Sequence, residues 1–139
     1  MNTLLKDMKI VACSGYFNPL HKGHVEYLEK AKSLGNYLIV IVNSDEQRMI
    51  KGSKEFMDQE ERMCIVKALR CVDEVFLSVD KDGTVCESLR AIKPHIFAKG
   101  GDRLSSEIPE AKVCEELNIQ MVDGLGNKIQ SSSWLLKKE

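Results

Sequence analysis

The chain lacks the marks of several broad classes. It has no basic surplus: 20 Lys and Arg stand against 21 Asp and Glu, a formal charge of -1 over 139 residues. Proteins that read nucleic-acid backbones carry a basic excess, so broad nucleic-acid binding is not expected. A small anionic ligand stays open, because local charge differs from the total. No apolar run approaches the roughly 20 residues of a membrane helix, and Met1 to Lys9 shows no secretory apolar stretch. A cytoplasmic protein with no membrane partner is the expectation. There is no CxxC pair. The five cysteines, Cys13, Cys64, Cys71, Cys86 and Cys114, are scattered and odd in number, which reads as reduced thiols. Cys13 lies in an apolar run and reads as a core residue. With no repeat, low-complexity segment or linker, one domain over 1–139 is expected. Asp80-Lys81-Asp82-Gly83 is too short for a calcium loop and reads as a turn.

What is present is an alternation of strand-like and helix-like segments. Lys9 to Ser14 is a short apolar strand, and Gly23 to Leu34 carries Leu28 and Ala31 at helical spacing. Gly35-Asn36 ends that helix. Tyr37 to Val42 is an almost unbroken β-branched and apolar run, as in a strand covered on both faces. Asp58 can cap a helix from Gln59 to Arg70, and Glu74 to Val79 makes a third strand. Thr84, with Glu87 three residues on, suggests a capping box for a helix reaching Ile92. A fourth strand from His95 to Ala98 follows Pro94. Then come a helix from Glu107 to Leu117, a fifth strand from Ile119 to Val122 and a last helix from Ser131 to Lys138. This pattern predicts a Rossmann-like α/β domain: five parallel strands, order 3-2-1-4-5, with helices on both faces. Four polar loops, at 14–22, 43–57, 99–106 and 123–133, then gather at the strands' carboxyl ends, where such sheets bind ligands. They hold most of the glycines, which suits close approach of backbone to a ligand.

The first of these loops carries the strongest signal. His21 and His24 sit three residues apart, with Gly23 between them, at a strand-to-helix junction. Phosphates bind at such junctions, and two imidazoles there can donate to a phosphate whose charge grows in a transition state. Gly23 is expected to leave room for that phosphate. His95, the third histidine, reads as strand-end structure. Arg62, in a helix with Glu61 and Arg70, reads from the residues alone as one partner of a surface ion pair. Gln130-Ser131-Ser132-Ser133 places three hydroxyls ahead of a helix, able to cap it.

The segment Gly15-Tyr16-Phe17-Asn18-Pro19-Leu20-His21-Lys22-Gly23-His24 resembles the HxGH signature of the nucleotidyltransferase superfamily that includes the cytidylyltransferases. Asp45-Glu46 after the second strand, Lys51-Gly52, Glu61-Arg62, Val72-Asp73-Glu74-Val75 and Lys99-Gly100-Gly101-Asp102 follow in family order. The adenylyltransferase domain of the bacterial ADP-heptose synthases is the nearest resemblance, on Lys99-Gly-Gly-Asp102, and the glycerol-3-phosphate cytidylyltransferases come next. The resemblance implies transfer of a nucleoside monophosphate from a nucleoside triphosphate to a phosphorylated acceptor, with Mg2+ carried on the triphosphate. It implies catalytic roles for His21, His24 and Lys51. It implies nucleotide contacts at Gly15, Tyr16, Phe17, Asn18, Gly23, Lys99, Gly100, Asp102, Gln130, Ser131, Ser132 and Ser133. Substrate contacts fall to Asp45, Arg62 and Arg103, and Asp102 is placed to meet magnesium through water. Two departures weigh toward ATP over CTP: Asn18 where the family often has Asp, and Gly126 where some cytidylyltransferases carry Arg. A homodimer is expected, as family members often are.

The expectation is therefore an enzyme using ATP and a sugar phosphate such as heptose 1-phosphate. CTP with glycerol 3-phosphate is the alternative. A nucleotide-binding module without catalysis is the rival from another class, since fold alone does not separate the two.

Overall fold

The computed structural model describes residues 8–52, 57–99 and 109–122. Ten elements run in the order β1 (Ile10–Gly15), α1 (Lys22–Lys32), β2 (Tyr37–Val42), α2 (Asp45–Lys51), α3 (Gln59–Lys67), β3 (Glu74–Leu77), α4 (Cys86–Ile92), β4 (Ile96–Ala98), α5 (Pro109–Leu117) and β5 (Gln120–Val122). The strands form one sheet, order β3-β2-β1-β4-β5, with every pairing parallel. The expected topology is the one observed. Sequence-expected bounds differ from these by up to three residues at element ends; the expected last helix, 131–138, lies outside the described residues.

Side chains alternate along each strand and build two cores. Val11 and Cys13 of β1, Leu38, Val40 and Val42 of β2, and Ile96 and Ala98 of β4 pack with Leu28 and Ala31 of α1 and Val66 of α3. Ala12, Ile41 and Phe97 point the other way, onto Leu89 of α4 and Val113 and Cys114 of α5. This period of two is why the strand sequences are apolar on both faces. None of the described helices is long and apolar enough to cross a membrane.

Two local expectations are corrected. Residues 43–57 were expected as a polar loop, but α2 occupies 45–51. Ser44 caps it, its hydroxyl accepting from Gln47 N (3.1 Å), while Gln47 Oε1 accepts from Ser44 N (3.0 Å). This reciprocal pair is a capping box. Thr84 does not cap α4. Val85 holds the cap position without a side-chain bond, and the buried Asp80 carboxylate accepts from Glu87 N (2.7 Å) and Ser88 N (2.9 Å). A full charge at the helix's positive end outcompetes a hydroxyl there.

Candidate active site

β1 lies between β2 and β4, so the chain winds outward in two directions from it. The crevice beyond the carboxyl ends of β1 and β4 is the switch point at which open α/β sheets take ligands. Tyr27, buried on α1, spans that junction: its hydroxyl donates to the Ala98 carbonyl at 2.7 Å. The Cys13 thiol beside it is fully buried, as expected, and burial pushes it up to about 12, so it stays protonated.

His21 and His24 are built into the start of α1. His21 is the N-cap, and its Nδ1 accepts from Gly23 N at 3.0 Å. His24 Nδ1 accepts from His21 N at 3.1 Å. The two imidazoles thus play the parts that Ser and Glu play in an ordinary capping box. A backbone N–H on each Nδ1 leaves Nε2 as the position from which each ring can donate. The rings stack, centroids 3.8 Å apart and planes 28° from parallel. Burial, and then the neighbouring His21, lower His24 from 6.5 to about 4. The two rings form one stacked unit at a helix N-terminus.

Phe17 supports this unit from below. Its ring meets His24 edge-on, centroids 5.0 Å apart, and it is buried at 2% exposure. Phe17 is in the left-handed region at φ +52, an arrangement that costs of order 1–3 kcal/mol and folds the ring back under Gly15. A Cβ on Gly15 would sit 2.8 Å from Phe17 Cζ, so glycine is required there. Asn18, half-buried, accepts at Oδ1 from Met57 N (2.9 Å).

Arg62 is the fixing point of the loop. It is 0% exposed. Its Nε donates to Met57 O (3.0 Å), Nη1 to Tyr16 O (2.8 Å) and Asn43 O (2.7 Å), and Nη2 to Asp45 Oδ1 (2.8 Å). Asp45 Oδ2 accepts from Gln59 N (3.2 Å). Asn43 N donates to Gly15 O (2.9 Å). A planar guanidinium suits this task because its donors fan out in fixed directions.

The structure therefore redistributes the sequence-expected roles. His21, His24, Gly15, Tyr16 and Asn18 stand together at the first loop. Phe17 packs in the core, while Arg62 and Asp45 hold loop backbone. The surface ion-pair reading of Arg62 is corrected, because the side chain is fully buried. Gly23 is buried and its amide is engaged by His21, so no phosphate seats on that N–H. Lys51 is the last residue of α2, ahead of Gly52 at φ +85, and not part of a loop. Lys99, half-buried after β4, donates its amide to Val122 O (2.7 Å). His95 is structural as expected, its Nδ1 accepting from Ile10 N (2.9 Å). Gly100, Asp102, Arg103, Gln130, Ser131, Ser132 and Ser133 lie outside the described residues. Sequence reading missed Asn43 and Gln47; the Ser44-to-Gln47 capping pattern was the available signal. Among the described residues, no group of three or more His, Cys, Asp or Glu could hold a metal ion.

A parallel sheet in this order, with two stacked imidazoles at the helix start beside its switch point, defines a Rossmann-like α/β fold. The chain belongs to the cytidylyltransferase-like family, whose model matches residues 12–134. It is 39% identical over 129 residues to the bifunctional protein HldE of Pelobacter propionicus, covering 91% of this chain and 24% of that one. The chain thus spans about a quarter of the length of the curated relatives it matches. The lipopolysaccharide core biosynthesis protein of Thermoplasma volcanium has a similar structure, with TM-score 0.72 and 28% identity over 84% of this chain and 95% of that one. Thermotoga maritima TmcAL, solved with alpha-thio ATP, gives TM-score 0.55 and 25% identity over 68% of this chain and 25% of that one.

Proposed function

We propose that this chain transfers a nucleoside monophosphate, AMP in the first instance, to a sugar phosphate such as heptose 1-phosphate, releasing pyrophosphate. The observation that carries the reading is the stacked imidazole pair at the start of α1, each Nδ1 held by a backbone N–H. In the reaction an oxygen of the acceptor phosphate bonds to the α-phosphorus, and the bond from that phosphorus to the bridging oxygen of pyrophosphate breaks. The acceptor phosphate is largely ionised at neutral pH, its second pKa lying near 6, so no general base is needed. His21 and His24 donate to the non-bridging oxygens of the α-phosphate, and these bonds strengthen as charge develops. Rings already held by the backbone suit this task because they need no reorganisation as charge develops. The triphosphate would enter as its magnesium complex, in which the ion would supply charge neutralisation at the leaving pyrophosphate. Lys51, from the end of α2, is assigned to the outer phosphates or the acceptor phosphate.

ATP is favoured by Asn18 and Gly126, and by likeness to a protein solved with an ATP analogue. CTP with glycerol 3-phosphate is the second reading, favoured by the match to the cytidylyltransferase-like model. The proposal includes a homodimer acting in the cytoplasm, the dimer to be read by light scattering. The test is a matrix of ATP, CTP, GTP and UTP against phosphorylated acceptors, with pyrophosphate as readout and His21→Ala as blank. Release with ATP and heptose 1-phosphate above all other pairs is expected. Nucleotide binding with no release for any acceptor would leave a binding module instead.

A further inference from the structure

We propose that Gln47 is a positioning residue for the acceptor side of the site, an inference that rests on the nucleotidyl-transfer reading above. Gln47 is 0% exposed, and its amide uses every hydrogen-bonding position it has. Nε2 donates to the carbonyls of Asp82 (2.7 Å) and Thr84 (2.8 Å). Oε1 accepts from Asn43 Nδ2 (3.1 Å) and Ser44 N (3.0 Å). An amide has two donors and two acceptor sites, so none remains for a ligand. Gln47 acts only through what it holds.

It holds two parts of the carboxyl edge together. One is Asn43, whose N–H bonds Gly15 O and whose carbonyl receives Arg62, and which thereby frames the histidine loop. The other is the turn between β3 and α4. Asp82 Oδ1 accepts from Thr84 N (3.0 Å) and Thr84 Oγ1 (2.7 Å), which makes that turn one unit. Gln47 fastens the unit to the frame. In the order β3-β2-β1-β4-β5, the turn and α2 stand on the opposite side of β1 from the crevice assigned to the nucleotide. An in-line displacement brings the acceptor oxygen in opposite the leaving oxygen, so the acceptor needs a wall of its own. The turn at 82–84 is the described backbone placed to supply it.

The test compares wild type, Gln47→Glu and Thr84→Val. Gln47→Glu keeps the size and the acceptor contacts but removes both donors and sets a carboxylate oxygen against two carbonyls. Thr84→Val removes two Oγ1 bonds at a half-buried position, to Asp82 Oδ1 (2.7 Å) and from Cys86 N (3.4 Å), and leaves the core untouched, so it reports even if Gln47→Glu does not fold. Initial rates of pyrophosphate release are measured with magnesium ATP and heptose 1-phosphate, or with CTP and glycerol 3-phosphate if the wild type uses that pair. The sugar-phosphate or glycerol-phosphate KM should rise about tenfold in Gln47→Glu and about threefold in Thr84→Val, the scale of a displaced hydrogen-bonding wall. The nucleotide KM should stay within about twofold, the signature of an effect confined to one substrate. A rise in nucleotide KM, a fall in kcat alone, or unchanged kinetics in folded variants that merely melt earlier would each overturn the assignment. A wild type inert with both pairs would instead remove the reaction itself, and this proposal with it.

Discussion

His21→Ser separates two functions that one imidazole carries. In the wild type, Nδ1 of His21 accepts from Gly23 N at 3.0 Å and caps α1. The Nε2–H on the other side of the ring is the assigned donor to the α-phosphate. Serine is among the best N-cap residues, whereas alanine loses the cap at a cost of about 0.5–2 kcal/mol. Neither side chain reaches the phosphate. Both variants also lose the stacking on His24, so that loss cancels between them. His21→Ser and His21→Ala should therefore lose turnover alike, by about 10²–10³-fold, the scale for one oxyanion-type donor. They should differ in stability, with the serine variant melting higher by about 3–5 °C for a difference near 1 kcal/mol in a domain of this size. Pyrophosphate release measures the first and a thermal melt the second. Wild-type turnover in the serine variant would refute the donor role. Equal melting of the two variants would refute the cap.

Further outcomes follow from the same geometry. His24 is held at about 4 against an ordinary 6.5, by burial first and by His21 second. Between these values the unfolded chain binds a proton that the folded chain refuses, so this contribution to stability is complete above about pH 6.5 and shrinks as pH falls toward 4. Urea melts from pH 4 to 8 should show that sign for wild type and a flatter profile for His24→Gln. Arg62→Met strands the carbonyls of Tyr16, Asn43 and Met57 and should cost about 3 kcal/mol or more, the scale of breaking a buried hydrogen-bonded charge. Arg62→Lys should not restore it, because one ammonium cannot replace the fork; the urea midpoint decides. Gly15→Ala drives a methyl to 2.8 Å from the Phe17 ring. A displacement near 1 Å passed on to His24 should lower kcat up to about 100-fold, read against a nucleotide KM that hardly moves.

The fold was legible because its strands are apolar on both faces and its helices fall between them. The strand order followed from the crossover pattern, and the histidine pair was legible from its place at the first junction. What chemistry those rings could do was not, since the tautomer depends on which nitrogen meets the backbone. α2 was hidden by inverted patterning: Gln47 and Arg48 are buried while Met49 and Ile50 are exposed at 64% and 57%. A hydrophobic period cannot find a helix whose polar side faces in. Arg62 was misread for a related reason. One charge beside Glu60 and Glu61 looks solvated, and only the folded chain shows three carbonyls converging on it from separate segments. At Thr84 the hydroxyl accepts from Cys86 N (3.4 Å), while a carboxylate upstream, Asp80, takes the amide of Glu87 that a capping box needs.

The Tyr27 hydroxyl on Ala98 has a consequence for how α1 and β4 are held. Tyr27 is one helical turn beyond His24, so the helix bearing the imidazoles is pinned to the last residue of β4. Prising those elements apart would break a bond sealed from solvent and drag both rings with it. The spacing between the start of α1 and the end of β4 is therefore set by a contact inside the protein itself.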